Sequence, residues 1–88
     1  MQYMIVERFN PGSRKAIYQR FAEKGRMMPP GLHYINSWID DEVTTCFQLM
    51  ETDDQQLLHE WIGHWSDLAG FDIFPVISSA AAKEKALT

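Results

Sequence analysis

Few residues in this chain could do chemistry. They are three histidines (His33, His59 and His64), one cysteine (Cys46), and Glu7, a carboxylate set in the apolar run Met4-Ile-Val-Glu-Arg-Phe9. Tyr3, Tyr34, Asn36, Trp38 and Gln48 add polar and aromatic groups. His59-Glu-Trp-Ile-Gly-His64 looks at first like the two-histidine helix motif of zinc proteases. That motif places its histidines at i and i+4, so that both reach one metal. Here they stand at i and i+5, about 140° apart around a helix. Both therefore read as solvated or rim residues, and no metal is expected. A single cysteine excludes an internal disulfide and a cysteine-anchored zinc site. No cation beside Cys46 in sequence lowers its thiol pKa, so it reads as a small buried hydrophobe in a central strand. Glu7 is the main acid–base candidate. Desolvated among apolar neighbours, its pKa would rise and it could give or take a proton; the alternative is a plain pairing with an arginine of a neighbouring strand or subunit. His33 falls on the Ile35 side of its strand, toward the helices, or at the sheet edge, and reads as structural. Arg14 and Lys15 open a helix, where cations oppose the dipole. They could meet an anion there, but solvated surface charge is the simpler reading.

The elements that must position these groups follow from pattern. Gln2 to Phe9 is a strand rich in Tyr, Ile, Val and Phe. Asn10-Pro-Gly-Ser13 breaks it, with Ser13 as a helix cap. From Arg14 to Met28 the apolar residues Ile17, Tyr18, Phe21, Gly25 and Met28 share one helical face, and Pro29-Pro-Gly31 stops the helix. Leu32 to Asp40 and Val43 to Glu51 form a hairpin. Asp41-Glu42 is a weak tight-turn pair, so the loop is longer than two residues or the hairpin is bulged. Thr52-Asp-Asp-Gln55 has the form of a capping box. Leu57, Leu58, Trp61, Ile62, Trp65, Leu68 and Ala69 then fill one helical arc, closed by Gly70. Phe71 to Ile77 is the last strand, and Pro75 places it at an edge or a bulge. Ser78 or Ser79 caps a final Ala-rich segment. The expected division is a single domain over residues 1–79 and a short helical or frayed tail over 80–88.

The order β-α-β-β-α-β predicts an α+β, ferredoxin-like fold: a four-stranded antiparallel sheet with two helices on one face. The strands do not alternate cleanly between apolar and polar, as a sheet wet on one side would. Both faces are apolar, and two helices cover only one. Tyr3, Glu7, Tyr34, Asn36 and Trp38 share alternation parity within their strands and are assigned to the uncovered face. Gln48 joins them in one hairpin register; Phe47 and Glu51 join in the other. These six residues, Tyr3, Glu7, Tyr34, Asn36, Trp38 and Gln48, are the candidate ligand-binding set, a mostly apolar surface with a few convergent polar groups. An uncovered apolar face also marks an interface, so a two-fold homodimer through the sheet is expected.

The whole chain narrows the function classes. Its 88 residues make one small domain with a limited core. A formal net charge of −4 and a pI near 5.2 argue against nucleic acid and acidic membranes as partners. No stretch is apolar enough to span a bilayer or serve as a signal peptide, so a reduced cytoplasm is the expected compartment.

With this order in view, the chain resembles the dimeric α/β-barrel superfamily, in which two ferredoxin-like subunits join sheet to sheet. Met1-Gln-Tyr-Met-Ile-Val-Glu-Arg-Phe9, Gly25-Arg-Met27, Ser37-Trp38 and Cys46-Phe-Gln-Leu-Met-Glu-Thr-Asp53 are similar to the family known as domain of unknown function 3303. The resemblance implies the fold and the dimer and carries no catalytic residue. The wider superfamily includes cofactor-free monooxygenases, haem-degrading enzymes, dehydratases and ligand-sensing domains, and fold alone does not choose among them. The expectation is a homodimer that binds a small apolar or aromatic molecule without a cofactor. The alternatives are a non-catalytic interaction or sensing module and a cofactor-free, monooxygenase-like enzyme.

Overall fold

A computed structural model describes all 88 residues. Strand β1 (Gln2–Phe9) leads into helix α1 (Arg14–Lys24), then strands β2 (His33–Ile39) and β3 (Thr45–Glu51). Helix α2 (Gln56–Gly63), strand β4 (Ala69–Val76) and helix α3 (Ser79–Ala86) complete the chain. The sheet order is β2-β3-β1-β4, with every neighbouring pair antiparallel. This is the ferredoxin-like arrangement, extended by one terminal helix. Pro75 lies in β4, an edge strand, where its missing N–H interrupts no central ladder.

Several element ends differ from the sequence pattern, each for a local reason. Helix α1 stops at Lys24 rather than running to Met28. Gly25 takes a φ of 65°, with its N–H donating to Phe21 O, and Met27 takes a φ of 58°. Two positive-φ residues around Arg26 thus turn the chain before the prolines do. Ser13 sits at the start of α1, but its hydroxyl does not cap the helix. It lies 2.6 Å from Asn10 O and 2.7 Å from Leu68 O, joining two connections at one end of the sheet. The Thr52–Gln55 box does not form. Thr52 Oγ1 accepts from Asp54 N–H, Asp54 Oδ1 accepts from Gln56 N–H, and the helix begins later, at Gln56. Helix α2 ends at Gly63, and Gly70 belongs to β4. Ser78 does cap α3, accepting from Ala81 N–H at 3.0 Å.

The hairpin is both long-looped and bulged. Asp40 closes the loop by accepting from Thr44 Oγ1–H, Thr44 N–H and Thr45 N–H at 2.6–2.8 Å. Those hydrogen bonds, the Thr44 hydroxyl foremost, hold its carboxyl below the usual range. Farther along, Tyr34 pairs with Met50 and Asn36 with Leu49, which leaves Ile35 as an extra residue in β2.

The core lies between one face of the sheet and the two helices α1 and α2. Tyr3, Ile5 and Met50 from the sheet pack with Ile17 of α1 and with Leu58 and Trp61 of α2; Leu32, Trp65 and Ala69 complete it. Full burial of side chains such as Ile5 and Leu58 is worth about 1.5–3 kcal/mol each. Trp61 meets Phe71 edge to face at 5.6 Å. No helix is long and apolar enough to cross a membrane.

Candidate functional site

Strand pairing decides which side chains share a face. In β1, Tyr3, Ile5 and Glu7 are buried; in β3, so are Cys46, Gln48 and Met50. Tyr3 pairs with Met50, Ile5 with Gln48, and Glu7 with Cys46, so this face carries the core. Met4, Val6, Phe47 and Leu49 point the other way. Tyr3, Glu7, Gln48 and, through its pairing with Met50, Tyr34 therefore lie on the helix-covered face, which corrects their assignment to the open one. Asn36 and Trp38 pair with Leu49 and Phe47 and do lie on the open face. The bulge at Ile35 separates them from Tyr34, because one extra residue inverts the alternation. His33 pairs with Glu51 and is exposed on edge strand β2, on the open side rather than toward the helices. His59 and His64 are exposed on and just after α2.

Between the sheet and the helices is a cavity of about 220 Å³. Glu7, Cys46, Gln48 and Ser37 line its sheet wall, and Ile17, Tyr18, Phe21, Trp61 and Trp65 its helix side. Arg26, from the α1–β2 connection, also lines it. The Glu7 residue is 5% exposed, and its Oε1 accepts from Gln48 Nε2–H at 3.1 Å. Burial pushes the Glu7 carboxyl up from 4.5 to about 7. Its cross-strand neighbour Cys46 is also affected: burial, with Glu7 adding, pushes the thiol up to about 12. Cys46 is therefore a protonated, weakly reactive wall residue rather than a nucleophile. Every buried side-chain polar atom has a hydrogen-bond partner.

Arg26 is placed by its own backbone. Its carbonyl accepts the indole N–H groups of both Trp61 (2.9 Å) and Trp65 (3.0 Å). The guanidinium carbon lies 3.7 Å from the Tyr34 ring centroid and 5.0 Å from that of Phe21. The Tyr34 hydroxyl is 2.6 Å from Ser37 Oγ, which steadies the ring beneath the cation.

Of the six residues singled out by sequence, Glu7 and Gln48 thus meet at the cavity, and Tyr34 stacks on the arginine in its wall. Tyr3 packs in the neighbouring core; Asn36 and Trp38 lie on the opposite face. Sequence reasoning missed Arg26 and Ser37. The available signal for Arg26 was its position: a lone cation between an apolar helix face and the Pro29-Pro30 stop. Together the groups offer a mostly apolar, half-open cleft, a carboxyl whose pKa burial raises toward neutrality, and a guanidinium in the same wall.

No curated protein matches the chain. Among solved structures, the chain is similar to a protein of Chloroflexus aurantiacus J-10-fl named as a candidate antibiotic biosynthesis monooxygenase. That likeness has 18% identity and a TM-score of 0.46, over 89% of this chain and 96% of that one. The sequence profile of the family described as Domain of unknown function (DUF3303) matches residues 1–87, and this chain belongs to that family.

Proposed function

We propose that the protein binds a small apolar or aromatic molecule in the cavity between sheet and helices. The observation that carries this reading is the buried Glu7–Gln48 pair at the wall of a mostly apolar space. Solid packing would leave no reason to keep a carboxyl desolvated there, since burying it opposes its ionisation. A perturbed group in a cleft is a recognised mark of a functional site. Titration of the 15N-labelled protein with a panel of one- and two-ring aromatic compounds tests the reading. Amide shifts centred on Ile17, Gln48 and Trp61 are expected. Saturable shifts confined to the open sheet face, or none at all, would refute it.

The same reading makes the protein a homodimer joined through the open sheet face. That face carries Met4, Val6, Trp38, Phe47, Leu49 and Phe74. Trp38 is 51% and Phe74 50% exposed, and α3, with no buried residue, leaves them so. A second copy offers the same surface and closes it by two-fold symmetry. Sedimentation velocity should find a dimer at micromolar concentration and a monomer for the double variant Trp38→Glu, Phe47→Lys. A wild-type protein that stays monomeric and folded at high concentration would overturn the dimer.

A further inference from the structure

The cavity wall holds one cation, and no ion pair of the fold engages it. The chain's three ion pairs are those of the N-terminus with Asp53, Arg8 with Asp72, and Arg20 with Asp67. Arg26 belongs to none of them, so no carboxylate oxygen of the chain lies within 4.0 Å of its guanidinium. Its side chain also donates no hydrogen bond within the protein, whereas Arg20 spends its fork on Asp67 and on His64 O. Arg26 is only partly exposed and lines the cavity. The guanidinium carbon lies over the Tyr34 and Phe21 rings, and the N–H fork, spent on no acceptor of the chain, can meet an oxyanion. The backbone is equally constrained, by positive φ at Gly25 and Met27 and by two indole donors on the Arg26 carbonyl. A partly desolvated arginine with an unspent, pre-placed fork is arranged for planar bidentate recognition.

We infer that the molecule bound in this cavity is a small aromatic carboxylate, whose charged end pairs with Arg26 and whose ring lies among Ile17, Trp61 and Trp65. This rests on the cavity reading above and adds the chemical class of its occupant. The volume suits one or two rings: a dry apolar cavity of about 150 Å³ already accommodates benzene, and this one is about 220 Å³. The other polar groups agree in sign. Gln48, Ser37, Tyr18 and the thiol of Cys46 are uncharged, and Glu7 carries its proton at mildly acid pH, so Arg26 then sets the charge of the site.

The test compares two probes of matched shape, 1-naphthoate and 1-naphthalenemethanol, by isothermal titration calorimetry on the full chain at pH 6. Naphthoate is expected to bind at least roughly tenfold more tightly, the usual worth of a charge-assisted hydrogen-bond pair. In Arg26→Gln the preference for naphthoate over the alcohol should vanish. The indole contacts go to the backbone carbonyl, so the substitution leaves them in place; Arg26→Lys, which keeps the charge and loses the fork, should fall between. Equal affinities for the two probes in the wild type would overturn the carboxylate assignment and leave the cavity reading standing. The same holds if the preference survives in a folded Arg26→Gln. Binding of neither probe would overturn both.

Discussion

Replacing Glu7 with Gln removes a titrating group from the protein's interior while keeping its shape and its acceptor for Gln48 Nε2–H. The folded-state pKa is about 7 against an ordinary 4.5. Between those values the folded chain holds a proton that the unfolded chain releases, so stability falls as pH rises. The protonated Glu7 makes its full contribution below pH 4.5, and the loss is complete once pH has passed about 7. Each pKa unit corresponds to about 1.4 kcal/mol, so the whole loss is about 3 kcal/mol. That is a large share of the 5–15 kcal/mol typical of a domain. Glu7→Gln, neutral throughout, escapes this loss. The variant should match the wild type near pH 4 and exceed it by about 3 kcal/mol at pH 8. Urea unfolding followed by tryptophan fluorescence at fixed protein concentration measures both curves. Asp40 and Asp67, whose hydrogen bonds from Thr44 and Arg20 hold their pKa values down, weaken both proteins alike in acid and cancel in the difference. A wild-type-to-variant gap that stays constant from pH 5 to 8 would refute the claim that Glu7 is desolvated.

One further substitution and one labelling experiment probe the frame around the site. Gly31 has a φ of 93°, and a Cβ there would stand 2.9 Å from Leu57 Cδ1. Gly31→Ala should therefore lower stability by about 1–2 kcal/mol through backbone strain, readable as a lower urea midpoint; an unchanged midpoint would mean the connection relaxes freely. Cys46 should react with iodoacetamide at pH 8 far more slowly in the native protein than in urea, because the folded thiol is buried and stays protonated. Equal rates would contradict its placement in the cavity wall.

The fold was legible in the sequence because its signals were local and redundant. Turn residues punctuate each strand, and the Leu57–Trp65 arc declares a helix whatever its end. The face carrying the site was not legible, for two physical reasons. A one-residue bulge at Ile35 inverts every later side chain of β2, and such bulges carry no reliable sequence mark. Polar residues also suggested the outer face, whereas Glu7 and Gln48 satisfy each other inside, something visible only once β1 and β3 are paired. Met4, Val6, Phe47 and Leu49, the truly outward residues, are the more apolar set. Arg26 escaped notice because it sits in irregular chain, where periodicity says nothing.

The shared carbonyl of Arg26 has a spectroscopic consequence. Two of the protein's three tryptophans hydrogen-bond the same oxygen, and Trp38 stands alone on the far side of the sheet. The emission is thereby split into an enclosed pair that senses the α1–β2 connection and a single outlying reporter on the face that the proposed dimer covers. Replacing Trp38 with Phe would leave the interior pair as a label-free gauge of whatever shifts the Arg26 backbone.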